Sequence, residues 1–189
     1  TREQKIMNIV GIKSLVYGVE DLQRAIQFHE DWGLQNIEQG AAGADFELQD
    51  GATLQLRTAN HPSLPPKALN WEPHLSGSTV REVIWGAADA ETLAAIGAEI
   101  SKDREVTTDH EGTLHSVDDN GNPMGFAVFT PKPITLNLPE INTIGNSGRP
   151  DKPAEATVRR PITPYRYVHV VYWIPGDPAS AIAFYTERL

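Results

Sequence analysis

Residues 165–189 read YRYVHVVYWIPGDPASAIAFYTERL. The run Tyr165–Ile174 is dense in Val, Tyr and Trp, the β-branched and aromatic mix that suits a buried strand, and it carries one imidazole, His169. Pro175-Gly176 then turns the chain. Asp177 offers a side-chain oxygen to the free amides of a helix start, and Pro178 takes the first helical position, where a missing donor costs nothing. Ile182, Phe184 and Tyr185 recur at helical spacing, so a helix is expected over Pro178–Leu189. No C-cap signal closes it. Strand, Asp cap and helix in this order make the opening half of a unit, and its remainder is expected beyond Leu189.

The same opening occurs twice earlier. Ile6–Val19 reads as a strand, Asp21 as a cap, and the helix after it runs to Trp32, with Leu22, Ala25, Ile26 and Phe28 toward one face and Gly33 as the stop. Short strands around Asn36–Gln39, Asp45–Leu48 and Thr53–Arg57, the last after an Asp50-Gly51 turn, complete a β-α-β-β-β unit. An irregular insertion of about residues 58–78 follows, rich in proline and carrying Trp71, His61 and His74, as a flap or contact surface. At Thr79–Ala87 the pattern restarts, with Asp89 as cap, a helix Ala90–Ile100, and strands Thr113–Val117 and Gly125–Phe129 around the turn Asp118–Asn122.

In register, the helix entries are Val19-Glu20-Asp21-Leu22, Ala87-Ala88-Asp89-Ala90 and Pro175-Gly176-Asp177-Pro178. Repetition at long period marks units that cannot bury a sheet face alone and therefore pair. The expected fold is of the α+β class. Paired βαβββ units form a curved mixed sheet with flanking helices over residues 1–133; a Pro-, Gly-, Asn- and Ser-rich connector covers 134–164, and 165–189 is the first strand and helix of a truncated C-terminal module.

Composition narrows the chemistry. With 16 basic against 25 acidic residues among 189, the net charge is −9, which argues against nucleic acid as a partner. There is no cysteine, so disulfides, thiolate nucleophiles and zinc ribbons are excluded and any metal must be held by His, carboxylate or amide groups. No apolar run reaches the roughly 20 residues that span a bilayer, and no signal-peptide core opens the chain. A cytoplasmic location without a membrane partner is the expectation.

Three stretches carry a family resemblance: V-x-D-L-x-x-A-x-x-F at Val19–Phe28, Asp-Asn-Gly-Asn at Asp119–Asn122, and H-V-V-x-x-x-x-x-D-x-x-x-A-x-A-F-Y at His169–Tyr185. They resemble the vicinal oxygen chelate superfamily, which includes glyoxalase I, bleomycin-resistance proteins and type I extradiol ring-cleaving dioxygenases. In that family metal ligands come from a unit's first strand and from near the end of its last. The matching positions here are Ser14, Gln55, Glu82 and Gly125 in the first two units and His169 in the third. Only Glu82 and Gln55 of the first four could coordinate a metal, and neither is an imidazole.

The resemblance therefore implies a metal-free module over residues 1–133 and a C-terminal module that keeps the metal, as in the extradiol enzymes. Those enzymes use two histidines and a carboxylate around Fe(II) and leave open positions for a catechol-type aromatic and O2. His169 would be the first ligand, the other two would lie beyond Leu189, and the 189-residue chain alone would be inactive. Two alternatives stay open. One is a glyoxalase-type isomerase or epimerase that binds a divalent metal through Glu82 and Gln55; the other is a metal-free protein that sequesters an aromatic or antibiotic small molecule. Homo-oligomerisation is compatible with each.

Plainer readings accompany these residues. His110 and His115 lie five apart beside a loop and are expected to be solvated; Glu82 is expected to pair with its neighbour Arg81. His29 reads as a helix-surface side chain, His61 and His74 show no ligand spacing, and Trp85 and Trp173 read as core.

Overall fold

The computed structural model describes residues 7–65, 77–134, 163–172, 174 and 177–189. The first unit is β1 (Ile9–Val19), α1 (Leu22–Asp31), β2 (Gln35–Gln39), β3 (Gly43–Glu47) and β4 (Thr53–Thr58). The second is β5 (Thr79–Ala87), α2 (Ala90–Ile100), β6 (Thr107–Thr108), β7 (Leu114–Val117) and β8 (Pro123–Val128). They share one open, curved, eight-stranded sheet of order β2-β3-β4-β1-β5-β8-β7-β6. β1 runs antiparallel to β5, and each runs parallel to the last strand of its own unit, β4 or β8. The paired βαβββ arrangement is as expected from the repeat. β6 was not legible: it is two residues long, pairs Thr107 with His115 and Thr108 with Leu114, and has no alternation to announce it.

All three capping aspartates act as caps. Asp21, Asp89 and Asp177 accept from the amides of Arg24 (3.0 Å), Thr92 (2.7 Å) and Ala179 (3.1 Å). Gly33, at φ 90°, ends α1 in a left-handed turn, with Gly33 N–H donating to Glu30 and Leu34 N–H to His29. A side chain at that φ would be strained.

Both long helices pack on one face of the sheet. Leu22 and Ile26 of α1 lie over Leu15, Val19, Phe46, Leu54 and Leu56; Ile96 and Ile100 of α2 lie with Ala87, Met124 and Phe126. Phe28 departs from its expected place and is 53% exposed. It follows Ile26 by two residues, about 200° round the helix from the buried stripe. On the other face Val16, Ile84 and Ala127 form a small cluster covered by Leu64.

The third opening differs from a ladder strand. Residues 163–172 belong to no strand; Tyr167, Val170 and Tyr172 pack on the helix-bearing face of the sheet. A segment on a sheet's face cannot join the ladder, because ladder positions exist only at its edges, here β2 and β6. The chain is tied down by Gln49 N–H to Pro164 O (3.1 Å) and Asp50 N–H to Tyr165 O (3.0 Å). α3 (Pro178–Ala183) then continues as a π-helical turn over Phe184–Arg188. Its buried stripe is Ala181 and Phe184, so Ile182, about 100° away, faces out at 59% exposure. Phe184 lies under the Arg104 and Arg188 guanidinium groups, 4.7 and 5.4 Å from its ring centre.

Trp71 and His74 in the insertion, connector residues 135–162, Trp173 and Pro175-Gly176 lie outside the described residues. No helix among the described residues is long and apolar enough to cross a membrane.

Phe46 is fully buried between α1 and the sheet. Phe46→Ala should cost about 3–5 kcal/mol, read as a lower urea midpoint with an unchanged denaturant slope.

Candidate functional site

Strand alternation puts Ser14, Val16, Gln55, Glu82 and Ile84 on the face without helices. Gln55, Val16 and Glu82 form one cross-strand row with Val16 in the middle. The two candidate ligands thus start two strand spacings apart, roughly 10 Å. Ser14 is committed locally, accepting from Thr53 Oγ1 at 3.0 Å. Gly125 sits against Glu82: a Cβ there would lie 3.4 Å from Glu82 Oε1 and 3.0 Å from Ile84 Cγ1. The four positions chosen by counting do share a face, and only one brings a charge.

That charge is spoken for. Glu82, buried at 4% exposure, takes His115 Nδ1 at 2.7 Å through Oε1, and His115 Nε2 meets Asp109 Oδ2 at 3.2 Å. Asp109 is held in turn by the amides of Thr113 (2.8 Å) and Glu111 (2.9 Å) on Oδ1. An imidazole with a carboxylate at each nitrogen donates from both and so is cationic. The Glu82 hydrogen bond raises His115 to about 9, against the opposing effect of burial and with help from Asp109. Burial pushes Asp109 up, yet the Thr113 amide, His115 and the Glu111 amide together hold it below the usual carboxylate range. This chain of groups lines a cavity of about 580 Å³ that Leu64 and Pro65 also wall.

Sequence reasoning missed this arrangement. His115 is half-buried with both ring nitrogens engaged, whereas His110, at 90% side-chain exposure, is solvated. Arg81 does not pair with Glu82; its guanidinium donates to the carbonyls of Ala59 (3.2 Å) and Pro65. The signal that could have found His115 was its register opposite Gly125, which no one-dimensional spacing reveals. The donors do not fit a metal: Glu82 and Asp109 lie on opposite nitrogens of one ring and cannot meet at one ion while holding it. Among the described residues no group of three or more His, Asp or Glu is placed to hold one.

His169 lies on the other face, so the structure does not bring it to Glu82. It is exposed and lines a second cavity, about 420 Å³, between α1 and residues 164–169. His29 lines this cavity as well, its Nδ1 2.7 Å from Ala25 O, and is therefore half-buried where a free surface side chain was expected. His61 is engaged locally by Ser63 Oγ at 2.7 Å, and Trp85 packs against both core clusters.

No protein-family model and no curated protein matches the chain. Solved structures do. The Mn(II)-bound glyoxalase from Novosphingobium aromaticivorans matches with a TM-score of 0.51 at 18% identity, over 71% of this chain and 44% of that one. Homoprotocatechuate 2,3-dioxygenase from Arthrobacter globiformis gives 0.52 at 18% identity, over 66% of this chain and 37% of that one. An extradiol ring-cleaving dioxygenase from B. fuscum gives 0.52 at 14% identity, over 69% and 36%. The likeness is one of fold, and the chain spans less than half the length of each of these proteins.

Because folding raises His115 from 6.5 to about 9, its ion pairs contribute fully below about pH 6.5 and are lost as pH rises through 9. The urea midpoint of the wild type should fall over that window relative to His115→Gln, whose midpoint should lack this component.

Proposed function

We propose that this chain, which has the vicinal oxygen chelate fold, belongs to a two-module ring-cleaving oxidoreductase of the extradiol type, acting on a catechol-type aromatic with O2. Residues 1–133 are the module that holds no metal, and Tyr165 begins the one that does. Fe(II) is the metal of this reading; the glyoxalase neighbour is Mn(II)-bound.

The observation that carries the proposal is the third Asp-capped opening. It presents His169 beside Val168 and Val171, which are 85% and 83% exposed, while Tyr167, Val170 and Tyr172 are packed on the first module. A stretch that buries one side and leaves two valines bare on the other suits a covering layer of further chain. The commitment of Glu82 to a cationic His115 supports the same division, since it uses up the one charged ligand position of the first module. It also weakens the glyoxalase-type alternative, which needs Glu82 and Gln55 as ligands across Val16.

His169 supplies one imidazole of the two histidines and one carboxylate that the reading requires. The described residues near it supply no carboxylate, so no step of ring cleavage is assigned to them.

Elemental analysis of the full-length protein tests the reading. Near-stoichiometric iron is expected, lost in His169→Ala and kept in Glu82→Gln. Metal that survives His169→Ala and disappears in Glu82→Gln would favour the isomerase alternative, and a protein without metal would leave the small-molecule binder.

A further inference from the structure

The cavity of about 420 Å³ beside α1 falls within the roughly 300–1,000 Å³ range of small-molecule sites. Leu15 and Leu54 contribute to its floor from the sheet, Phe28 and Trp32 form one wall from α1, and Tyr167 stands on the other side. Phe28 and Trp32 are 53% and 65% exposed, and their rings lie 5.9 Å apart. Two large aromatics held together in solvent, at the mouth of an apolar hollow, offer ring faces to a planar guest.

Arg166, His29 and His169 line the cavity, and no Asp or Glu does. In a chain with a net charge of −9, a lining whose one charged group is the Arg166 guanidinium, with no carboxylate beside it, is a local departure toward positive charge. Arg166 has no ion-pair or hydrogen-bond partner among the described residues, so its guanidinium fork is free to take a carboxylate. His29 spends Nδ1 on the Ala25 carbonyl, which leaves Nε2 for a guest.

We infer that this cavity is a binding site for an aromatic carboxylate, the ring lying against Trp32 and Phe28 and the carboxylate on Arg166. The site is on the helix-bearing face, separate from the Glu82–His115–Asp109 chain, and needs no metal at His169. It would hold substrate, product or an effector of the same chemistry, and a failure of the iron assignment would leave it standing.

The probe is 2-naphthoate, with 2-naphthylmethanol as its neutral counterpart, titrated calorimetrically into full-length protein stripped of metal by a chelator. Naphthoate should bind about tenfold tighter than the alcohol, the difference one charge-assisted hydrogen-bonded pair supplies. Arg166→Gln should remove that preference and leave alcohol binding unchanged, while Trp32→Ala should weaken both probes. Both substitutions fall on exposed side chains, so the fold should tolerate them. Absence of naphthoate binding, equal affinity for acid and alcohol, or a preference that survives Arg166→Gln would overturn the inference.

Discussion

The antiparallel ladder between β1 and β5 is the contact on which the rest of the molecule depends. Each βαβββ unit has only one helix to cover its four strands, and the two first strands join them into a single sheet with Val16 opposite Glu82. That pairing sends α1 and α2 to one face and leaves the other to Ser14, Gln55, Glu82 and Gly125. The crossing of 59–65 over the second face, with Leu64 on Val16, Ile84 and Ala127, makes the hollow there a cavity. The helix packing and the Glu82–His115 pair thus fall on opposite sides of one layer.

Burial of Glu82 sets the terms for that second face. A carboxylate at 4% exposure needs a partner, and His115 on β7 is brought to it by the β7–β8–β5 ladders. Asp109, oriented by two backbone amides, completes the arrangement from the other nitrogen. The result is a cation shared between two acids on the face without helices. Gly125 belongs to the same economy of space: a side chain there would press on Ile84 and come into contact with the Glu82 carboxylate.

The carboxy-terminal stretch uses the helix-bearing face instead. Tyr167 reaches Thr53 O at 3.2 Å, Tyr185 donates to Asp118 Oδ2 at 3.0 Å, and Arg188 grips Asp103 at 2.7 Å. Tyr172 and Tyr185 stack between these anchors, 6.1 Å apart, and burial raises both hydroxyls above the ordinary phenol range. Anchoring at both ends keeps residues 164–169 beside α1, where Arg166, His29 and His169 meet an aromatic wall. Two cavities, one beside the Glu82–His115–Asp109 chain and the other between α1 and residues 164–169, thereby occupy opposite sides of the sheet.

Local rules were enough for much of this. The three Asp caps, the stop at Gly33, the pairing of two like units and the α+β class follow from residue types and spacing, because capping and periodicity act within a few positions of chain. What they could not reach was any choice made across the chain. β6 has too few residues to carry a period, Phe28 lies off a stripe that only the sheet defines, and residues 165–172 have strand composition but lie on the sheet's face, away from its edges. His115 found Glu82 from 33 residues away, and His29 met residues 164–169 from more than a hundred. Such meetings depend on strand register and on which face a segment lies against; these are properties of the assembled sheet, and no single stretch of sequence contains them.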